Sequence, residues 1–275
     1  MKPLKPAEIL DASIETSVTK AGGSFGKLFV LSFLAGAFIA FAAEGSNMAA
    51  FNLLASPDTY GIGKLIAGIV FGTGLMLVVL CGGELFTGNT LIIAAAADKK
   101  VTVMKMLRNW LIVYAGNFTG AFFIAGLMNY SGLFSSGAGM LGAMTVKIAA
   151  GKVGFSFGQA FVLGIMCNWL VCLAVWLSFG ADTMAGKILG IFFPISLFVT
   201  SGFEHSIANM YYIPAGIIAK ANETFAALSG VSAEALVNLN WTSFFTANLI
   251  PVTLGNIVGG CVFVAMAYFY AYKKA

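Results

Sequence analysis

Charged residues are scarce in this chain of 275 residues, making up only 9 % of it, whereas 59 % of the residues are hydrophobic. A soluble domain carries about 25 % charged residues, and it has no means of hiding so much apolar surface from water. The net charge of +4 is spread over loops and ends and forms no basic patch, so nucleic-acid binding is not indicated. The composition therefore excludes a soluble enzyme and predicts a protein embedded in a lipid bilayer.

Cysteine is also rare, with four residues, and histidine occurs once, as His205. The cysteines show no Cys-x-x-Cys spacing and lie in apolar stretches. We interpret them as small apolar side chains rather than as a disulfide framework. The sequence predicts no metal site, no cofactor and no catalytic residue.

Six apolar regions are long enough for transmembrane helices, which need about 20 residues each. The second and fifth of them are interrupted, near residues 84 and 204. Residues 1–25 alternate charged and apolar residues, which predicts an amphipathic helix at the membrane interface. We therefore predict an all-α membrane protein with six transmembrane helices, forming a single transmembrane domain over residues 1–275.

Lysine and arginine orient these spans, because loops on the cytoplasmic side carry an excess of both. With the N-terminus inside, eleven of the fifteen basic residues are cytoplasmic: Lys2, Lys5, Lys20, Lys27, Lys99, Lys100, Lys105, Arg108, Lys187, Lys273 and Lys274. The opposite side holds Lys64, Lys147, Lys152 and Lys220. This bias predicts a multi-pass protein of the plasma membrane with both termini in the cytoplasm.

The two interrupted spans resemble each other. Gly82–Asn89 and Gly202–Asn209 both follow the pattern Gly-x-Glu-x-x-x-x-Asn, each between two apolar half-spans. Residues 28–130 and 155–272 are therefore predicted to be two repeats of three spans, and an odd number of spans places the second copy upside down. Paired broken helices are the best sequence indication of a site near the bilayer midplane. Their free N–H ends attract anions.

Glu84 and Glu204 distinguish these breaks from simple packing motifs, because ionisable groups within a membrane are costly and usually functional. The Gly-Asn-x-x-Gly segments that begin at Gly116 and Gly255 favour helix packing instead. For the two glutamates, ion ligation is one interpretation. The favoured one is that they accept hydrogen bonds from loop amides or pair with Lys20.

His205 falls in the break of the fifth span, where a histidine is typical of a proton relay or an ion path. Thr87 occupies the other break and offers a hydroxyl to a permeant ion or to His205 itself. On residues alone, Lys152 is interpreted as an ordinary loop lysine before the fourth span. Asn168, in the fourth span, is interpreted as an interhelical hydrogen-bonding group rather than a pore contact.

Three segments resemble the formate–nitrite transporter family. They are LCGGELFTG (80–88), GIMCNWLVCLA (164–174) and SGFEHSIANM (201–210). The resemblance implies an aquaporin-like fold with broken helices 2 and 5, assembled as a symmetric homopentamer with a pore in each protomer. It also implies passage of a small monovalent weak-acid anion, for which we favour formate over nitrite or hydrosulfide. Whether His205 couples transport to protons is left open.

The same resemblance implies roles for residues along the path. Thr87 and His205 match the central polar pair, and Leu85 and Phe198 match the outer constriction. Lys152 matches a lysine that attracts anions. The remaining matches are apolar narrowings at Phe71, Leu75 and Val171, and asparagines at Asn168 and Asn209.

Two other classes compete with this interpretation. An aquaporin-type channel would show Asn-Pro-Ala in each repeat, whereas the breaks continue as Asn89-Thr90-Leu91 and Asn209-Met210-Tyr211. An intramembrane serine protease would use the Gly-x-Ser-x-Gly match at 154–158 with His205. That match lies at the mouth of the fourth span and leaves the repeated glutamates unexplained, so no enzyme is predicted.

Overall fold

The computed structural model describes residues 3–273 and, within that range, is helical with no strand. Lys2 and Lys274, both assigned to the cytoplasmic side from sequence, lie outside the described residues. The helices are α1 (Pro6–Ala21), α2 (Phe25–Ala55), α3 (Tyr60–Cys81), α4 (Phe86–Asn89), α5 (Ile92–Ala97), α6 (Val103–Ser131), α7 (Met140–Val153), α8 (Phe157–Gly180), α9 (Met184–Ser201), α10 (Ser206–Ala219), α11 (Glu223–Leu228), α12 (Ala233–Asn238) and α13 (Trp241–Lys273).

Six of these helices are long and apolar enough to cross a membrane, with mean hydropathies between 1.6 and 2.2. They are α2, α3, α6, α8, α9 and α13. Helix α13 contains two π-helical stretches, at Phe244–Leu249 and Cys261–Met266. The predicted fold class, an all-α protein with six transmembrane helices, is confirmed.

The two interrupted spans end in the same way. Helix α3 stops at Gly82 and α9 stops at Gly202, where φ is +89° and +82°. This left-handed conformation strains residues that carry a Cβ, so glycine is the residue that ends a helix there. After a short extended segment the chain resumes as α4 in the first break and as α10 in the second. The second and fifth spans are therefore broken, as the sequence predicts.

The Gly-Asn-x-x-Gly segments lie where helix backbones touch. A Cβ on Gly120 would overlap the carbonyl oxygen of Phe33 in α2, and one on Gly259 would overlap the carbonyl oxygen of Ile165 in α8. Close backbone approach is what small residues provide in membrane helices. The packing interpretation of these segments is confirmed, and it pairs α2 with α6 and α8 with α13.

Helix α1 is shorter than the predicted 1–25 and packs on protein rather than along a bare membrane interface. Ile9, Leu10 and Ile14 are buried in a cluster with residues of α5, α8 and α13. The Lys273 ammonium lies 2.9 Å from the Asp11 carboxylate, so both described ends of the chain lie on the same side of the bundle. Of the four cysteines, Cys167, Cys172 and Cys261 are buried as core side chains, whereas Cys81 is exposed and therefore does not belong to the core.

Helix α7 is an element that was not predicted from the sequence, since its 14 residues are too few to span a membrane. It packs against α10 and α2, and most of its side chains are buried. Lys152 therefore belongs to a helix and not to a loop, which corrects the interpretation made from residues alone.

Candidate functional site

An asparagine braces the first break from the neighbouring helix α6. The Asn117 amide donates to the carbonyl oxygens of Glu84, at 2.9 Å, and Ser32, at 2.7 Å. Its Oδ1 accepts from the backbone N–H of Phe86 at 2.9 Å. The polar groups freed by the break are thereby satisfied inside the bundle, as they must be where no water is present.

A second asparagine does the same for the second break from α13. The Asn256 amide donates to the carbonyl oxygens of Glu204, at 3.0 Å, and Gly164, at 2.8 Å. Its Oδ1 accepts from the backbone N–H of Ser206 at 2.9 Å. The two breaks are thus held by matching sets of three hydrogen bonds.

The Glu84 carboxylate is held by a lysine and an asparagine. The Lys20 ammonium lies 3.3 Å from Glu84 Oε2, and the Asn89 amide donates to the same oxygen at 2.7 Å. Lys20 also donates to Asn89 Oδ1 at 2.8 Å. Asn109 completes the set, because its Oδ1 accepts from Asn89 at 2.9 Å and its amide donates to the Lys20 carbonyl oxygen at 3.0 Å.

Glu204 has the corresponding partners, with Lys152 in the place of Lys20. The Lys152 ammonium lies 2.7 Å from Glu204 Oε1, and the Asn209 amide donates to Oε2 at 2.7 Å. Asn248 accepts from Asn209 at 2.7 Å and donates to the Lys152 carbonyl oxygen at 2.8 Å. Among the alternatives raised from sequence, the structure places Lys20 at Glu84 and a different lysine, Lys152, at Glu204.

Asn109 and Asn248 were not predicted from the sequence, and neither was the correspondence between Lys20 and Lys152. A signal for the lysines exists in the sequence. Residues 20–26 read KAGGSFG and residues 152–158 read KVGFSFG, so both follow Lys-x-Gly-x-Ser-Phe-Gly. The matching pattern therefore begins earlier than the predicted repeat bounds 28–130 and 155–272, and it makes α1 and α7 counterparts.

The serine of the Gly-x-Ser-x-Gly match, Ser156, is also the serine of the Lys-x-Gly-x-Ser-Phe-Gly pattern, and its role is structural. Ser156 lies at the start of α8, where its hydroxyl accepts from the backbone N–H of Gln159 at 3.3 Å. Such a serine is an N-cap. The hydrogen bonds of His205 go to Thr87 and Ala208 instead, so the protease interpretation has no Ser–His pair to support it.

His205 and Thr87 meet at the centre of the bundle, both buried. His205 Nδ1 accepts from the backbone N–H of Ala208 at 3.1 Å, and its Nε2 lies 3.0 Å from Thr87 Oγ1. Because Nδ1 is an acceptor, we assign the proton of the neutral ring to Nε2. Nε2 then donates to the threonine oxygen, which leaves the Thr87 hydroxyl hydrogen free to donate elsewhere.

The backbone of Thr87 is fixed by its own set of donors. Its carbonyl oxygen accepts from Thr90 Oγ1 at 2.6 Å and from the Asn168 amide at 3.2 Å. Asn168 also donates to the carbonyl oxygen of Asn256 at 2.6 Å. Asn168 is thus an interhelical hydrogen-bonding group that joins α8 to the first break and to α13.

Two cavities flank this pair. The first, which we call the Lys152 cavity, has a volume of about 420 Å³ and is lined by Lys152, Glu204 and His205 among others. The second, the Lys20 cavity, has about 220 Å³ and is lined by Lys20, Glu84 and Leu85 among others. Thr87 is fully buried and borders neither of them. A closed contact thus separates the two cavities.

The apolar residues assigned to constrictions are divided between these cavities. Phe71 and Phe198 line the Lys152 cavity, with ring centroids 5.6 Å apart in an edge-to-face arrangement, whereas Leu75 and Leu85 line the Lys20 cavity. Val171 is buried and lines neither. The structure therefore does not bring Leu85 and Phe198 together in one cavity lining.

Comparisons with known proteins give a consistent result. The family model described as "Formate/nitrite transporter" matches residues 7–270. The "Probable formate transporter" of Methanothermobacter thermautotrophicus is 42 % identical, over 98 % of this chain and 97 % of that protein. The "Formate channel FocA" of Escherichia coli K12 is 39 % identical, over 98 % and 95 %. The solved structure "Pentameric formate channel with formate bound" is 42 % identical, with a TM-score of 0.83 over 90 % of this chain and 98 % of that one.

Proposed function

The chain belongs to the formate/nitrite transporter family, and from this premise we propose that it is a plasma-membrane channel for formate with both termini in the cytoplasm. The observation that carries the proposal is the buried Thr87–His205 contact between two lysine-lined cavities. The names of the relatives at 39–42 % identity support formate as the substrate. As a transporter, the chain belongs to no class of enzymes.

The cavities would first concentrate the anion. Taking a carboxylate out of water costs several kcal/mol in real proteins, so a channel has to replace the lost hydration. Lys20 and Lys152 each place an ammonium group in one cavity, and the N-termini of α4 and α10 add partial positive charge near the centre. Because each lysine is paired with a glutamate, the helix N-termini would supply the preference for anions over cations at the centre.

At the centre, Thr87 would pass the anion between the cavities. His205 Nε2 donates to the threonine oxygen, so the Thr87 hydroxyl hydrogen is available to the permeating formate. His205 itself has no proton to give, because its Nδ1 already accepts from Ala208 and loss of the Nε2 proton would leave an anionic ring. We therefore assign His205 the part of a neutral hydrogen-bonding partner and not of a proton relay.

The apolar residues would set the size of the passage. Phe71 and Phe198 on one side, and Leu75 and Leu85 on the other, border the cavities next to the central pair. Val171 packs in the same core. These residues offer a small anion no hydrogen bond, so they oblige it to shed water before it reaches Thr87.

Glu84 and Glu204 would hold the breaks rather than bind the substrate, since their carboxylates are occupied by lysine and asparagine donors. Asn209 would support Glu204 in the same way. Lys20 links Glu84 and Asn89 to helix α1. Lys20→Ala is therefore expected to alter gating, that is, the opening of the Lys20 cavity. A Lys20→Ala channel with unaltered opening would contradict this part.

A homopentamer is the proposed assembly. It is supported by the similarity to a solved channel that is itself pentameric. Native mass spectrometry from detergent should give five times the protomer mass of 28.7 kDa. A monomer of intact fold would contradict it.

The experiment that tests the function is flux into proteoliposomes, with formate, nitrite, hydrosulfide, chloride and glycerol compared side by side. Formate should pass fastest, and chloride and glycerol should stay at the rate of protein-free vesicles. Faster flux of nitrite or hydrosulfide would replace formate by another anion of the family. Glycerol flux, or no flux of any solute, would overturn the channel proposal.

A further inference from the structure

The two cavities share corresponding lysine, glutamate and asparagine contacts but differ in their linings at matched positions. Ser46 and Ser178 line the Lys152 and the Lys20 cavity, respectively, and each is followed by a residue that lines the same cavity. That residue is Asn47 in one and Phe179 in the other. Asn47 follows Lys20 by 27 residues, and Phe179 follows Lys152 by the same 27 residues. An amide in one cavity thus takes the place of a phenyl ring in the other.

Asn47 has a donor with nothing to donate to. The residue is 2 % exposed, and its Nδ2 is buried without a hydrogen-bond partner among residues 3–273. Buried amide groups are almost always hydrogen-bonded, so an orphan in a cavity wall calls for an occupant that accepts a hydrogen bond. Asn47 belongs to neither of the two sets of lysine, glutamate and asparagine contacts that surround Glu84 and Glu204.

A lysine without an ion pair lines the same cavity. Among the residues described, Lys64 has no carboxylate within ion-pairing distance, whereas Lys152 is paired with Glu204. Lys64 precedes Glu84 by 20 residues, and the residue that precedes Glu204 by 20 is the uncharged Met184. Lys147, also in the lining, adds a further cation, where α1 has Glu15 at the matching position. The uncompensated positive charge is therefore confined to the Lys152 cavity.

We propose that the Lys152 cavity contains a separate binding site for a small monovalent anion, in which Asn47 Nδ2 donates a hydrogen bond and Lys64 supplies the charge. The occupant has to accept a hydrogen bond, because both groups donate. It also has to be negative, because Glu204 neutralises Lys152 and leaves the charges of Lys64 and Lys147 unbalanced in the lining. The site holds the anion before or after it passes Thr87. This inference rests on the proposed channel function. It adds that the anion has a binding site on the Lys152 face that the Lys20 face lacks.

Zero-trans formate influx into vesicles of both orientations tests the site. Protease access to an N-terminal tag identifies the face of the Lys20 cavity, because α1 lies there. With formate on the Lys152 face, Asn47→Leu and Lys64→Met should each raise the half-saturating concentration about 3- to 10-fold. With formate on the Lys20 face, neither variant should change it. Phe179→Leu, the matched control, should leave both faces unchanged.

The outcomes separate this inference from the function on which it rests. If wild-type channels carry formate and Asn47→Leu leaves half-saturation unchanged on the Lys152 face, the site is refuted and the channel stands. An equal rise of the half-saturating concentration on both faces would also refute the site, because a general loss of packing affects influx from both faces alike. If wild-type vesicles take up no formate from either face, the channel and the site fall together.

Discussion

The Lys20 and Lys152 cavities are built on one frame and lined for different tasks. In each, a lysine on a short helix pairs with the glutamate of a break, and two asparagines complete the contacts. The linings then diverge, with Leu85 where the other cavity has His205. The shared frame is what two inverted halves need in order to fold, whereas chemistry lies in the positions where the halves differ.

The largest effect is expected where the halves are alike. Gly120→Ala and Gly259→Ala place a Cβ on a backbone oxygen of the adjoining helix, so each should cost about 3 kcal/mol, the upper end of overpacking. Both variants should lose folded protein in size-exclusion chromatography. Gly126→Ala on α6 is the control, because no atom lies within 4 Å of its added Cβ. Normal yield of either test variant would show that the helices separate more easily than their contact indicates.

The two ion pairs should differ in strength because they differ in exposure. Side-chain exposure is 4 % for Glu204 and 15 % for Lys152, against 11 % for Glu84 and 28 % for Lys20. Glu204→Ala leaves a more deeply buried lysine unpaired and should destabilise the fold by about 3 kcal/mol. Glu84→Ala should cost less, about 1–2 kcal/mol, since Lys20 is partly accessible to water.

Thermal unfolding of both variants in detergent checks this order. The matched Glu→Gln variants serve as controls, because they keep the side-chain volume and an oxygen for the asparagine donor while removing the charge. Equal loss of stability at the two sites would mean that burial does not distinguish the halves.

At the centre, Thr87 should matter for flux and its counterpart should not. Thr87→Val removes the acceptor of the His205 Nε2 proton and the hydroxyl offered to the anion, while keeping the shape. Formate flux should fall roughly tenfold or more, as for an unmet buried hydrogen bond. Ile207→Val, at the matching position of the other half, should retain nearly full flux. A Thr87→Val channel as fast as wild type would remove Thr87 from the path.

The smallest effect is expected at the outer end of α1. Asp11 pairs with Lys273 at 2.9 Å, but the Asp11 side chain is 61 % exposed. Exposed pairs contribute about 0–1 kcal/mol, so Asp11→Asn should leave the unfolding temperature within about one degree of wild type at high salt. A large loss would show that α1 is held by this contact rather than by Ile9, Leu10 and Ile14.

Much of the fold follows from the sequence, because apolar length and the repeated Gly-x-Glu-x-x-x-x-Asn pattern are local signals. They predict the six spans and the breaks at Gly82 and Gly202. Helix α7 is missed because its 14 residues fall short of the length that identifies a transmembrane span. The partner of Glu204 is missed for the same reason, since Lys152 reaches it from α7.

The site follows less completely. Thr87 and His205 are singled out by their places in the two breaks, but their contact depends on how α4 and α10 meet. Asn47 and Lys64 carry no sequence signal, because a lone asparagine in a span looks like any interhelical group. Their meaning comes from the comparison with Phe179 and Met184, which requires the cavity that Asn47 and Lys64 line to be known.

The most direct test of the neutral central pair is the pH dependence of formate flux through His205→Asn. Asparagine can accept from the backbone N–H of Ala208 in place of Nδ1, but it is too short to reach Thr87 as Nε2 does, and it cannot titrate. If His205 is a neutral hydrogen-bonding partner, the variant should keep measurable flux with the same pH profile as wild type. A folded His205→Asn channel whose flux has lost the pH dependence of wild type would make His205 a proton relay and contradict the role assigned to it.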